Sequence, residues 1–95
     1  MFLILGTSKC KYCHMAKQLL DQIPYRYIDL EEMYPDWRSV FNVLRPYIGS
    51  QRSIPLVFKG CKEAVEEGNF GYLRFVGGYA DLVNTLQKDY NLGGV

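Results

Sequence analysis

Hydrophobic and polar positions alternate between two kinds of pattern along this chain, and their order predicts its elements. Phe2-Leu3-Ile4-Leu5 is a short continuous apolar run followed by Gly6-Thr7-Ser8, the mark of a buried strand ending in a loop. From Cys13 onward Ala16, Leu19, Leu20 and Ile23 fall at helical spacing, with Lys17, Gln18, Asp21 and Gln22 on the other face and Pro24 as the stop. Residues 25–30, rich in aromatic and β-branched side chains, predict a second strand paired with the first. Pro35 and Asp36 suit a first helical turn, and Trp37, Val40, Phe41, Leu44 and Ile48 then recur on one face of a second helix whose end Pro46 should fray or kink. Ile54-Pro55-Leu56-Val57-Phe58 reads as a strand begun by its proline, and Leu73-Arg74-Phe75-Val76 as the next. After Gly77-Gly78, the residues Tyr79, Leu82, Val83, Leu86 and Tyr90 mark a last amphipathic helix before Gly93-Gly94.

The order β-α-β-α-β-β-α places the chain in the α/β class. Its leading βαβ unit implies two parallel strands with a right-handed crossover, and its last two strands an antiparallel pair. The result is a mixed four-stranded sheet flanked by three helices. Residues 59–72 read as a hairpin connection longer than usual, with Gly60, Gly68 and Gly71 in it. Ninety-five residues enclose one hydrophobic core, so residues 1–95 are expected to form a single domain.

Composition narrows the function more than the fold. With 48% hydrophobic and 22% charged residues the chain is an ordinary globular one. A net charge of +1, with eleven Lys and Arg scattered among carboxylates, gives no footprint for nucleic acid. The apolar start is too short for a signal peptide or a membrane span, which points to the cytoplasm. Three cysteines are an odd count, unlike a secreted disulfide scaffold, and a close pair in a reducing compartment signals metal binding or catalysis.

That pair is Cys10-Lys11-Tyr12-Cys13. Placed after a strand and at the opening of a helix, it is in the redox setting, because unpaired helix N–H groups and the positive helix end stabilise a thiolate. Lys9 and Lys11 add positive charge around Cys10, the expected nucleophile, and Cys13 can reach its sulfur, which suits a resolving thiol. Cys13 as a small buried hydrophobe is the plainer alternative. A zinc site would have to draw on Cys10, Cys13, His14 and Cys61, a strained set without a second closely spaced pair. His14 is expected at the surface near the thiols.

Over nearly its whole length the sequence resembles the glutaredoxins of the thioredoxin superfamily. Cys10-Lys11-Tyr12-Cys13 followed by His14-Met15-Ala16-Lys17-Gln18-Leu19-Leu20 is similar to the start of that family's first helix. Ser53-Ile54-Pro55 stands where the family has a cis-proline loop, Gly77-Gly78 where it has a double glycine, and Tyr79-Ala80-Asp81 where it has a glutathione-contacting turn. The similarity is greatest to the small dithiol glutaredoxins of large tailed phages.

The resemblance implies a thioredoxin fold, a cis Ile54–Pro55 bond, and a glutathione site made by Lys9, Tyr12, Ile54, Pro55, Gly78, Tyr79, Ala80 and Asp81. The γ-glutamyl end would meet Tyr79, Ala80 and Asp81, the centre Ile54, and the glycine carboxylate Lys9 or Arg52. It also implies a monomeric glutathione-dependent reductase of protein disulfides and glutathione mixed disulfides, with glutathione as reducing co-substrate, no permanently bound cofactor, no metal, and ribonucleotide reductase as a possible protein partner. Two departures stand out. Lys11 replaces a proline common in the family, and residues 59–72 are longer than the family's hairpin, with Cys61 lacking a counterpart. Two alternatives use the same residues: a glutaredoxin-like thioredoxin served by thioredoxin reductase, and a binding protein holding a [2Fe–2S] cluster between two chains through Cys10 and glutathione.

Overall fold

A computed structural model describes residues 1–89; Tyr90, expected at the end of the last helix, and Gly93-Gly94 lie outside the described residues. Four strands, β1 (Phe2–Gly6), β2 (Tyr25–Asp29), β3 (Leu56–Lys59) and β4 (Arg74–Gly77), form one mixed sheet in the order β2-β1-β3-β4. β1 runs parallel to β2 and antiparallel to β3, which pairs antiparallel with β4. Strand pairing is as the pattern predicts.

The apolar runs are continuous because both sheet faces are covered. Side chains alternate along a strand, so Leu3, Leu5, Leu56 and Phe58 enter one buried cluster while Phe2, Ile4 and Val57 enter the other. Helices α1 (Lys11–Leu19) and α6 (Tyr79–Asp89) close the second cluster with Ala16, Leu20, Leu82 and Leu86.

On the first cluster's face the single expected second helix is replaced by short pieces. After α2 (Leu30–Met33), whose first amides are capped by Asp29 Oδ1, come a 3₁₀ turn at Trp37–Ser39, α3 (Val40–Val43) and α4 (Arg45–Ile48). The break falls at Leu44, φ −93° and ψ 8°. Pro46 has no N–H to give the Asn42 carbonyl one helical turn back, so the ladder stops there and restarts with Pro46 in the first turn of α4. The predicted face is nevertheless the buried one. Leu44 and Ile48 belong to the core, and Trp37, Val40 and Phe41 pack on it.

The second difference lies between β3 and β4. Residues 59–72 are not a plain loop but hold α5 (Lys62–Glu67) and a 3₁₀ turn at Phe70–Tyr72. Ala64 and Val65 are buried, and the helix ends at Gly68. Phe70 stands edge-on to Phe58 with ring centroids 5.0 Å apart, and the Phe75 ring centroid lies 5.2 Å from that of Phe58.

Arg26 of β2 ties this excursion to the sheet, its guanidinium donating to the carbonyls of Val65 at 3.1 Å and Glu66 at 2.6 Å. Charged donors make stronger bonds than neutral ones, but one of these is exposed, so Arg26→Ala should cost about 1–2 kcal/mol. At this chain size a Tm fall of at least about 4 °C is expected. Amide exchange in α5 should accelerate with it. Unchanged exchange would mean that burial of Ala64 and Val65 holds the helix without Arg26.

Candidate active site

Cys10 is the N-cap of α1, with extended backbone (φ −88°, ψ 114°), and its sulfur accepts the Cys13 N–H at 3.2 Å. A capping position is usually held by an oxygen acceptor; here sulfur takes that place and gains an N–H that favours its anion. Cys10 and Cys13 are joined as a disulfide, their Cα atoms 5.2 Å apart. Access differs sharply between them. Cys13 is 0% exposed, whereas Cys10 is partly open.

The Ile54–Pro55 bond is cis, Pro55 is buried, and Cys10 Sγ lies 3.9 Å from the Ile54 carbonyl oxygen. A shallow groove of about 280 Å³ runs alongside, lined by Tyr12, Ser53, Ile54, Pro55, Gly78, Tyr79 and Ala80. The Tyr12 and Tyr79 rings, both in its lining, are tilted neighbours with centroids 5.7 Å apart, and Tyr12 is 54% exposed. Six of the residues proposed from the sequence to bind one ligand, drawn from α1, the proline loop and α6, therefore border one groove. A larger hollow of about 600 Å³ between α2, α3, α4 and Phe70 holds none of them.

Two expected residues stand apart from the groove lining. Lys9 is exposed in the loop before Cys10. Asp81 turns back on its own helix, Oδ2 accepting the Gly78 N–H at 3.1 Å. An acidic residue in the first turn that receives the cap residue's amide is half of a capping box, and it also complements the helix dipole.

Gly77 makes that closure possible. Its φ is +128°, and a Cβ there would collide with the Asp81 carboxylate. Gly77→Ala is expected to cost about 2–4 kcal/mol from backbone strain and overpacking together. A shift in the urea midpoint would measure it. A midpoint within experimental error of wild type would mean that the turn accommodates a side chain.

Next to the groove, and sharing Ser53 and Ile54 with it, is a second hollow of about 440 Å³ lined also by Trp37, Arg38, Phe41, Asn42, Arg45 and Arg52. Arg52 was expected to attract the glycine carboxylate of the ligand; Arg38 and Arg45, which join it in this hollow, were not singled out in the sequence. Arg45 is already engaged with the carbonyls of Gly49 and Gln51. His14 is exposed, its Nε2 2.6 Å from the Ser8 carbonyl oxygen, and Cys61 is an exposed free thiol before α5. Among the described residues no cluster of three His, Cys, Asp or Glu side chains able to hold a metal ion is found. Nor is any helix among them long and apolar enough to cross a membrane.

Behind the thiols, Tyr27 of β2 donates its hydroxyl to the Thr7 carbonyl at 2.9 Å, and the Lys17 ammonium stands 4.3 Å from its ring centroid. Burial, and next the Asp29 carboxylate, push the Tyr27 pKa up to about 12. No spacing in the sequence connects residue 27 with the thiols.

The glutaredoxin family model matches residues 2–62, a span that includes both thiols and Ile54-Pro55. The chain belongs to the glutaredoxin family. Glutaredoxins are thiol–disulfide oxidoreductases, and the solved structures most similar in fold carry the same name. A buckwheat glutaredoxin in complex with glutathione superposes with a TM-score of 0.68 at 23% identity, over 93% of this chain and 69% of that one. The holo form of glutaredoxin C1 from Populus tremula x tremuloides gives 0.67 at 24%, over 96% and 78%. A dithiolic glutaredoxin from Trypanosoma brucei brucei gives 0.63 at 20%, over 98% and 82%. No curated protein matches the sequence. The thioredoxin fold expected from the sequence is therefore the fold of this glutaredoxin, with α5 lying between β3 and β4.

Proposed function

We propose that this glutaredoxin reduces protein disulfides and glutathione mixed disulfides at the expense of glutathione. The observation that carries the reading is the partly exposed Cys10, its sulfur held by the Cys13 N–H beside a groove bordered by Tyr12, Ile54, Pro55, Gly78, Tyr79 and Ala80. Cys10 thiolate attacks a substrate disulfide; one substrate sulfur leaves as a thiol after protonation and the other is bonded to Cys10. Cys13 then attacks the Cys10 sulfur, releases the second substrate thiol and forms the intramolecular disulfide. One glutathione opens that disulfide by bonding to Cys10, and a second takes the first away as glutathione disulfide. Two electrons and two protons move from two glutathiones to one substrate disulfide. Among protein substrates, ribonucleotide reductase is of the disulfide-forming class that this cycle serves.

Glutathione's shape suits the groove. Its peptide-like centre lies along Ile54, and its γ-glutamyl carboxylate meets the first free amides of α6, those of Tyr79 and Ala80, since the Gly78 amide is taken by Asp81. The ammonium faces Asp81. The glycine carboxylate extends toward Lys9 or the arginines of the adjoining hollow, Arg52 foremost. The buckwheat relative's glutathione complex supports the ligand class.

A coupled assay decides the electron donor. Oxidation of NADPH is followed on a small disulfide with glutathione and glutathione reductase, and separately with thioredoxin reductase alone. Turnover is expected in the first system and not in the second; the reverse result would reassign the donor.

A further inference from the structure

Tyr27 reaches the back of the thiol pair from β2, a strand outside the cysteine motif. Its hydroxyl donates to the Thr7 carbonyl at 2.9 Å, the same carbonyl that lies 3.4 Å from the Cys10 amide nitrogen. That bond fixes the proton: it points at Thr7, and the lone pairs of the phenolic oxygen point elsewhere. Gly6 shows what lies beside them. A methyl group built on Gly6 would stand 2.5 Å from Cys13 Sγ and 2.7 Å from the Tyr27 hydroxyl oxygen. Sulfur and hydroxyl thus crowd the same side of Gly6 and lie close to each other, in space that a side chain at residue 6 would otherwise take. Parallel pairing of Ile4 with Tyr27 sets this register.

The surroundings keep the phenol neutral. The charged groups facing Tyr27 are the Lys17 ammonium from α1, over the ring face, and Asp29 on its own strand. Gly6 at the end of β1 and Thr7 just after it lie beside the hydroxyl, neither ionisable, and α6 brings Tyr79 to the same cluster. Cys13 is the remaining titratable group, and it is wholly buried.

We propose that Tyr27 is a positioning residue for Cys13, its neutral hydroxyl presenting an acceptor oxygen that holds the reduced thiol protonated and in place behind Cys10. This rests on the reading of Cys13 as the resolving thiol. An acceptor stabilises the S–H form and opposes the sulfur anion, whereas Cys10 receives an N–H, which favours its anion. Two thiols three residues apart are thereby pushed in opposite directions, one toward attack and one toward waiting. In the resolving step the Cys13–Cys10 bond forms, the bond from Cys10 to substrate breaks, and the proton held on Cys13 ends on the departing substrate thiol.

Thiolate absorbance against pH tests this without any substrate, so its outcome is separate from whether Cys13 resolves in turnover. In a Cys10→Ser, Cys61→Ser background Cys13 is the sole thiol, and Tyr27→Phe is expected to lower its midpoint by about 0.5 to 1 unit, the worth of one hydrogen bond. In the matching Cys13→Ser, Cys61→Ser background the Cys10 midpoint should not move with Tyr27→Phe. 3-Fluorotyrosine at position 27 alone keeps the ring and weakens the acceptor, and should lower the Cys13 midpoint by less than Tyr27→Phe does. An unmoved Cys13 midpoint overturns the proposal, and so does an equal shift of both thiols, which would report a general loosening of the site.

Discussion

Cys10→Ser is expected to reduce turnover to background on every disulfide substrate, while Cys13→Ser loses reduction of protein disulfides and keeps removal of glutathione from glutathionylated thiols. The asymmetry comes from access. An incoming sulfur can reach the partly exposed Cys10, beside Ile54 of the groove, but not Cys13, which is fully covered. A hydroxyl at position 10 is too weak a nucleophile at neutral pH to replace the thiolate, and neither the N–H of residue 13 nor the adjacent lysines change that. With Cys13 gone, a glutathionylated Cys10 is still open to a second glutathione, so the one-thiol route survives. A protein substrate trapped on Cys10 has no internal thiol to release it. Paired assays on a glutathionylated peptide and a protein disulfide would measure both variants, and residual activity of Cys10→Ser in either would remove Cys10 from the mechanism.

Phe58→Ala should be the most damaging single change to stability, by about 3–5 kcal/mol. A domain of this kind has about 5–15 kcal/mol in all. Phe58 is fully buried in β3, in ring contact with Phe70 from the excursion and Phe75 from β4. Removing its ring leaves a cavity bordered by two aromatic neighbours that collapse poorly. The expected result is a Tm more than about 12 °C below wild type, with the urea midpoint falling and the slope unchanged. A loss under about 1 kcal/mol would mean that the neighbouring rings close the space.

How much of this was legible in the chain depends on the distance over which each feature is encoded. Phe2 to Leu5, the helix from Cys13, and the Ile54-Pro55 and Gly77-Gly78 breaks are local patterns, and the structure has strands, helix and turns there. Trp37, Val40, Phe41, Leu44 and Ile48 gave the right buried face but the wrong continuity. Periodicity reports which side meets the core, while a proline decides whether the backbone ladder runs through. Helix α5 was missed because it is six residues long and buries only Ala64 and Val65, between glycines that read as loop. Its signals were Ala64-Val65 among charged residues and Gly68 at its end. Of the proposed binding residues, Tyr12, Ile54, Pro55, Gly78, Tyr79 and Ala80 border one groove, but their grouping was supplied by family resemblance, not by spacing. Tyr27 was out of reach, because its position beside Cys13 depends on strand register, which no local pattern carries.

The reversed Asp81 gives the proposed groove a preference that its shape alone would not. Because the carboxylate already answers the Gly78 amide, the mouth of α6 is close to neutral before any ligand arrives. A bare anion entering there would gain two amides and face a fixed negative charge. An α-amino acid terminus, carrying its own ammonium beside its carboxylate, satisfies both. Under the proposed glutathione reading, the end of the helix would therefore act as a filter for zwitterions, selecting the γ-glutamyl group over an acyl chain of the same length with no amine.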